Sequence, residues 1–194
     1  MRITSGLWGG RTLAAPRGVA TRPTTDGNRQ ALFNILQHSL SHEPRLVADL
    51  FAGSGALGFE SLSNGAENVV FFENDREALK VLRKNCENLG LGPDSFEIIT
   101  ESRIETWPAL LQRRVDRLGP LDTIFCDPPY DRGLAERALR AVLKLPGLLD
   151  PKKALIYAEV GIREKTPVLE AWTCVQRRDK GSSGQCFFTR EMLT

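Results

Sequence analysis

Short apolar stretches alternate with helical ones from residue 46 to residue 160, and this alternation restricts the fold more than any other feature. Leu46–Phe51, Asn68–Glu73, Phe96–Thr100, Asp122–Asp127 and Ala154–Val160 have the length and residue types of strands. Helical spacing of apolar residues predicts helices through Leu62, over Arg76–Leu89, around Ile104–Arg114 and over Leu134–Leu145. Strands separated by helices pair in parallel and are covered on both faces. Right-handed crossovers then give an α/β, Rossmann-like, doubly wound sheet, with ligands beyond the carboxyl ends of its strands. The end of the chain departs from that plan. Trp172–Arg178 and Gln185–Arg190, joined by Gly181–Gly184, predict a terminal antiparallel hairpin where a plain dinucleotide fold would stay parallel.

Ahead of this domain, assigned to residues 26–194, lies a different segment. Residues 1–25 read as a small β-hairpin extension, turned at Gly9-Gly10, followed by an irregular linker with Pro16 and Pro23. A helix is predicted from Asp26 to about His38. Residues 1–30 hold Arg2, Arg11, Arg17, Arg22 and Arg29 against the single acid Asp26. The segment therefore carries +4, and a whole-chain net charge of +2 leaves −2 on the remainder. Such a segment is either a solvated arm or a polyanion-binding extension, because phosphate contacts come mostly from Arg and Lys. Cys86, Cys126, Cys174 and Cys186 form no CxxC pair, so neither a metal site nor a disulfide framework is expected. Free thiols, no apolar leader and no membrane-length apolar run point to a soluble cytoplasmic protein.

The first strand runs into Asp49-Leu50-Phe51-Ala52-Gly53-Ser54-Gly55-Ala56-Leu57-Gly58, a G-x-G-x-x-G between a strand and a helix. Glycine there permits a tight turn and close approach of backbone N–H groups to a ligand. Asp49, Phe51, Ala52, Gly53, Ser54 and Gly55 are accordingly cofactor-site candidates, although a close-packed turn would look the same. The second strand ends in Phe72-Glu73-Asn74. A carboxylate at Glu73 can accept ribose hydroxyls from either NAD or S-adenosylmethionine, or can instead cap the next helix with Asp75. Ser102 and Arg103, after the third strand, are candidates for the adenine end.

The fourth strand separates the two cofactors. It reads Ile124-Phe125-Cys126 and runs into Asp127-Pro128-Pro129-Tyr130. Consecutive prolines fix the backbone and keep it out of a helix. Asp127 and the carbonyl of Pro128 can then accept the two hydrogens of an –NH2 group, and Tyr130 offers a face on which a base can stack. An exocyclic base amine has its lone pair delocalised into the ring. Two acceptors out of that plane favour a tetrahedral nitrogen aimed at a sulfonium methyl, and positioning of this kind can supply ~7–11 kcal/mol of a barrier. No metal is needed.

These residues give the chain a specific likeness. Arg22-Pro23-Thr24-Thr25-Asp26, Ala31-Leu32-Phe33-Asn34, the Phe51–Gly58 turn and Asp127–Tyr130 resemble the bacterial small-subunit (16S) ribosomal RNA guanine-N2 methyltransferases, the RsmD family. The resemblance implies a class I S-adenosylmethionine-dependent methyltransferase fold with an N-terminal β-hairpin, and N2-methylguanine as product. It implies that Arg22 and Thr24 lie near the methionine end of the cofactor and the target base. Arg11 and Arg29 join them as expected RNA-binding residues. Two departures stand out: Gly27-Asn28-Arg29-Gln30 replaces the usual Arg-Val-Arg-Glu, and Ser102-Arg103 replaces an Asn-Ala or Asp-Ala pair. The implied partner is ribosomal RNA, in a small-subunit assembly intermediate or free, met by a monomer. Two rival readings stay open from residues alone, an amino methyltransferase acting on adenine N6 and an NAD-dependent oxidoreductase. The second leaves Asp127–Tyr130 unexplained.

Overall fold

A computed structural model describes residues 1–15, 26–39, 45–130 and 132–190. They fall into two compact units, Met1–Thr100 and Glu101–Thr194. The predicted linker after Ala15 lies outside the described residues.

In the first unit, β1 (Leu46–Leu50), β2 (Asn68–Phe72) and β3 (Phe96–Ile99) are parallel in the order β3-β2-β1. Both faces of β1 and β2 are buried throughout, which is why these strands read as continuous apolar runs. Helices α1 (Asp26–Ser39), α2 (Ala56–Ser63) and α3 (Arg76–Leu89) complete the unit. Asp75 caps α3 by accepting from the Glu77 and Ala78 N–H groups, and Gly90 ends it at φ 71°. Between α2 and β2 there is no room for a side chain at Gly58, where a Cβ would lie 2.2 Å from the Phe71 ring.

The N-terminal residues are sealed onto this unit. Residues 1–3 and 10–13 pair as the expected short hairpin, through bonds from the Ile3 amide to the Arg11 carbonyl, the Gly10 amide to the Ile3 carbonyl and the Leu13 amide to the Met1 carbonyl at 2.9–3.0 Å, and a 3-10 turn over Gly6–Trp8 lies between the paired stretches. The pairing stops at Ile3 because the next amides are taken elsewhere: those of Thr4 and Ser5 donate to Glu60 at 2.9 Å, and that of Trp8 donates to Ser63 Oγ at 2.9 Å. Glu60 is wholly buried on α2, with the buried Arg29 guanidinium 3.8 Å away. Asn85 on α3 exchanges two hydrogen bonds with the Ala14 backbone and donates a third to the Ser54 carbonyl.

In the second unit, β4 (Thr123–Cys126) and β5 (Leu155–Gly161) are parallel, while β7 (Ser183–Arg190) is antiparallel to both β5 and β6 (Trp172–Lys180), giving the order β4-β5-β7-β6. Register places Phe125, Tyr157 and Phe187 side by side, and their rings meet edge-on at 6.1 and 5.4 Å. The hairpin is longer and its turn tighter than expected, since pairing runs from Lys180 to Ser183 and leaves Gly181-Ser182 as the link, with Gly181 at φ 61°. A 3-10 turn (Ile104–Thr106) precedes α4 (Trp107–Leu118), whose second residue is Pro108. Helix α5 (Leu134–Leu143) stops short of Leu145, the residue before Pro146, where a helical conformation is disfavoured. Among the described residues, no helix is long and apolar enough to cross a membrane.

Glu60 is the anchor of the N-terminal segment. Glu60→Ala would leave two backbone amides without their acceptor and the buried Arg29 guanidinium with Asp26 as its remaining carboxylate. The expected loss is about 3–5 kcal/mol in urea unfolding, as for a buried ion pair stripped of one partner. A loss below about 1 kcal/mol would show that the segment is held by other contacts.

Candidate active site

The glycine turn begins where β1 stops. Phe51 takes φ 65°, a left-handed conformation costly for a bulky residue and found chiefly at functional sites. The three glycines answer separate demands. Gly53 (φ 57°) has open space where a Cβ would stand, so its freedom of backbone and of approach are what matter. Gly55 (φ 81°) would place a Cβ 2.5 Å from Leu82 and Phe59, and Gly58 fails on packing alone.

Two carboxylates hold the turn. Asp49 is buried beneath it and accepts from the Gly58 N–H at 3.0 Å. Burial pushes its carboxyl up from 3.8 to about 7, opposed by the Gly58 hydrogen bond and reinforced by the charge of Glu73. Half-buried Glu73 accepts from Gly53 N–H at 2.7 Å with one oxygen, and from Asn74 and Asp75 N–H at 2.7 and 2.8 Å with the other. Helix capping falls to Asp75 instead. A carboxylate has roughly four lone-pair sites, so about one on Glu73 remains for a ligand. The structure thus gathers Asp49, Phe51, Ala52, Gly53, Ser54, Gly55, Glu73 and Asn74 about one turn.

Ser102 and Arg103 belong to the second unit, where Arg103 is exposed and pairs with Glu101 at 3.4 Å. At the end of β4, Asp127 and Tyr130 are half-buried, Pro128 is buried and Pro129 is exposed. From sequence, Tyr130 has a stacking face alone, but its hydroxyl donates to Glu159, a residue the sequence did not single out. Glu159 is 5% exposed, and its second oxygen accepts from the Tyr157 hydroxyl at 2.8 Å. Burial, with the hydrogen bond to Glu159 and the charge of Asp127, raises the Tyr130 phenol far above its usual range, so it acts as a neutral donor. The available signal for Glu159 was one acid inside the otherwise uncharged, wholly buried strand Leu155–Gly161.

Burial raises the thiols of Cys86 and Cys186 to about 12 and about 11, which removes them as nucleophiles at neutral pH. Buried Cys126 points its thiol at the Ala135 carbonyl, 3.9 Å away. Among the described residues, no cluster of His, Cys, Asp and Glu could hold a metal.

Arg29 requires a correction. It is 1% exposed, donates to Asp26 and to the Arg2 carbonyl at 2.6 Å, and lies beside Glu60, so it braces the N-terminal segment and is closed to RNA phosphates. Arg11 stays on the surface, with one long bond of 3.4 Å to the Asn88 carbonyl. Arg22 and Thr24 lie outside the described residues. A groove of about 930 Å³ along the outward face of α5, bordered by Arg137, Arg140, Lys144 and Trp172, contains none of the motif residues.

The arrangement of strands, the terminal hairpin and the two motifs define a Rossmann-like class I methyltransferase. The solved structure of an Escherichia coli protein assigned as a methyltransferase matches at a TM-score of 0.78, with 33% identity and 98% of each chain covered. Ribosomal RNA small subunit methyltransferase D of Haemophilus influenzae is 34% identical over 181 residues, 93% of this chain and 89% of that protein. Its Escherichia coli namesake is 33% identical, over 98% of this chain and 90% of its own length. The family described as Conserved hypothetical protein 95 matches residues 1–189, and the chain belongs to it, the family of the RsmD proteins.

Asp49 makes a pH-dependent contribution with a definite sign. Its folded pKa lies above the unfolded value, so the stabilisation is complete below about 3.8 and is lost as pH rises through about 7. Asp49→Asn retains an acceptor for Gly58 and should flatten that decline, which is worth at most about 4 kcal/mol. Parallel unfolding profiles of the two proteins from pH 4 to pH 8 would refute the assignment.

Proposed function

We propose that this protein transfers a methyl group from S-adenosylmethionine to the exocyclic N2 amine of a guanine in small-subunit ribosomal RNA. The observation that carries the reading is Asp127-Pro128-Pro129-Tyr130 at the end of β4, with the Tyr130 hydroxyl fixed by Glu159. Relatives named as small-subunit ribosomal RNA methyltransferases support the substrate class. The choice of guanine N2 rests on the resemblance to the guanine-N2 enzymes, because the motif serves adenine N6 equally well.

The donor set suits the cofactor. A half-buried carboxylate with a lone pair to spare borders a glycine turn whose Gly53 leaves open space beside it. Glu73 would take a ribose hydroxyl, the Ala52–Gly55 backbone would face the ligand, and Ser102 would meet the adenine. S-adenosylmethionine, when bound, supplies a methyl group on a positively charged sulfur. Asp127 and the Pro128 carbonyl each accept one N–H of the target amine, drawing the nitrogen lone pair out of conjugation. Held this way, that nitrogen would take the methyl group the cofactor supplies, and the proton it then sheds would pass to the Asp127 carboxylate or to water, with no strong base required. Tyr130 stacks on the base, its ring plane set by the bond to Glu159.

Access fits an unpaired guanine. Paired in a helix, N2 is hydrogen-bonded and stacked, and flipping costs least where a base is already unpaired. Arg22 and Thr24 are retained as substrate contacts on the strength of the resemblance.

Asp127→Ala should abolish most turnover while leaving S-adenosylmethionine affinity within about twofold, since its partner is the amine; parallel calorimetry and turnover assays decide it. A large loss of cofactor binding would remove Asp127 from that role. Tyr130→Ala should weaken substrate capture by about 1–3 kcal/mol through lost stacking. Tyr130→Phe keeps the ring but removes the donor to a buried carboxylate, and should cost about 1.5–3 kcal/mol of stability while retaining most stacking. The decisive assay incubates ribosomal RNA, free and protein-bound, with labelled donor and identifies the modified nucleoside. N2-methylguanosine is expected. N6-methyladenosine alone would overturn the choice of base, and no labelled RNA would overturn the function.

A further inference from the structure

The loops that follow β4 and β5 are far apart in sequence and are clamped to each other. Glu164 accepts from the Gly161 N–H at 2.6 Å with one oxygen and from the Gly133 N–H at 3.1 Å with the other. Arg177 on β6 braces the same loop from the side, donating to the Ile162 and Glu164 carbonyls at 3.3 and 3.0 Å and to Thr166 Oγ1 at 3.1 Å. The Ile162 amide is tied in turn to the Ser182 carbonyl at 2.9 Å. The result is a rigid platform at the end of β5 nearest Asp127 and Tyr130, since β4 and β5 run parallel.

Three cations stand on this platform. Arg132 lies two residues past Tyr130 and next to Gly133, while Arg163 and Lys165 flank Glu164. All three are exposed, and none forms an ion pair or hydrogen bond among the described residues. Glu164, the acid between Arg163 and Lys165, accepts from two backbone amides. The contrast with α5 is informative: there Arg137 is paired with Glu105 and Arg140 with Glu136. The arginines of α5 are thus neutralised, whereas the cations beside the motif are positive on a braced support; Arg113 and Arg117 on α4 are likewise without an ion pair among the described residues but lack such a support.

We propose that Arg132, Arg163 and Lys165 form a phosphate-gripping rim that holds the RNA backbone on either side of the target nucleotide. The inference deepens the RNA-methylation reading and rests on it for the choice of partner. An extruded base draws its flanking phosphates to the mouth of the pocket, and cations carried on a braced backbone meet them at the cost of side-chain freedom alone, with no loop to order. This moves RNA capture away from the N-terminal arginines, one of which is buried.

The test uses the full chain with Arg132→Ala, Arg163→Ala and Lys165→Ala combined, and filter binding of a radiolabelled small-subunit ribosomal RNA transcript across salt concentrations. A control triple variant, Arg76→Ala, Arg83→Ala and Lys84→Ala, removes the same charge from the exposed side of α3. The rim variant should weaken binding by ~10-fold or more and lower the slope of log affinity against log salt by about two to three, as for three lost phosphate contacts. Its S-adenosylmethionine affinity by calorimetry should be unchanged, and the control should retain the wild-type slope. Equal slopes for rim variant and wild type, equal losses in rim and control variants, or no RNA binding by the wild type would each overturn the rim. Failure of the functional reading looks different: the wild type would bind RNA with the rim-dependent slope yet methylate no nucleoside.

Discussion

A buried carboxylate is stable only when hydrogen-bond donors surround it, and that requirement organises both units of this protein. Glu60 gathers the amides of Thr4 and Ser5 and thereby fixes the N-terminal segment on α2. Asp49 receives the Gly58 amide, and Glu73 receives Gly53, so the start of α2 and the bend of the turn are each set by an acid. Glu159 receives two tyrosine hydroxyls and sets the ring of Tyr130. Apart from Tyr157, which neighbours Glu159 on β5, the donor is far from the acceptor in sequence or lies across a turn, so the acid acts as a tertiary staple.

This pattern gives the sites their rigidity. Positioning dominates the chemistry proposed here, and a catalytic group misplaced by about 1 Å can cost about a hundredfold in rate. A tyrosine free to rotate would present a base at many angles, whereas one bonded to a carboxylate at 5% exposure is limited to few. The same logic extends outward to Glu164 and Arg177, which clamp the loops beside the motif and keep their backbone polar groups satisfied. Asn85 does comparable work in the first unit by linking Ala14, α3 and the Ser54 carbonyl.

Much of this was legible in advance wherever local rules suffice. The strands and helices were readable because buried parallel strands are continuously apolar and helices carry caps, as Asp75 and Gly90 do for α3. The glycine turn and the Asp127–Tyr130 motif were readable because their backbones demand particular residue types. Errors cluster where long-range partners won. The N-terminal hairpin forms but its pairing ends at Ile3, where Glu60 and Ser63 take the next amides, and Arg29, counted among RNA-binding cations, is an internal brace. Charge counts treat every arginine alike, although a guanidinium beside two carboxylates is no longer available to phosphate.

By itself, the sequence determined the α/β alternation, the closing hairpin, the position of the glycine turn and the place of the Asp127–Tyr130 motif at a strand end, since each follows from neighbours within a few residues. Only the tertiary structure decided which acids face inward, that Glu159 holds Tyr130, that Glu73 already has three backbone donors, and which arginines remain open to solvent. The physical reason is reach. Propensity and periodicity act along the chain, whereas the partner of a buried charge is chosen in space, by whichever distant donors folding brings within about 3 Å.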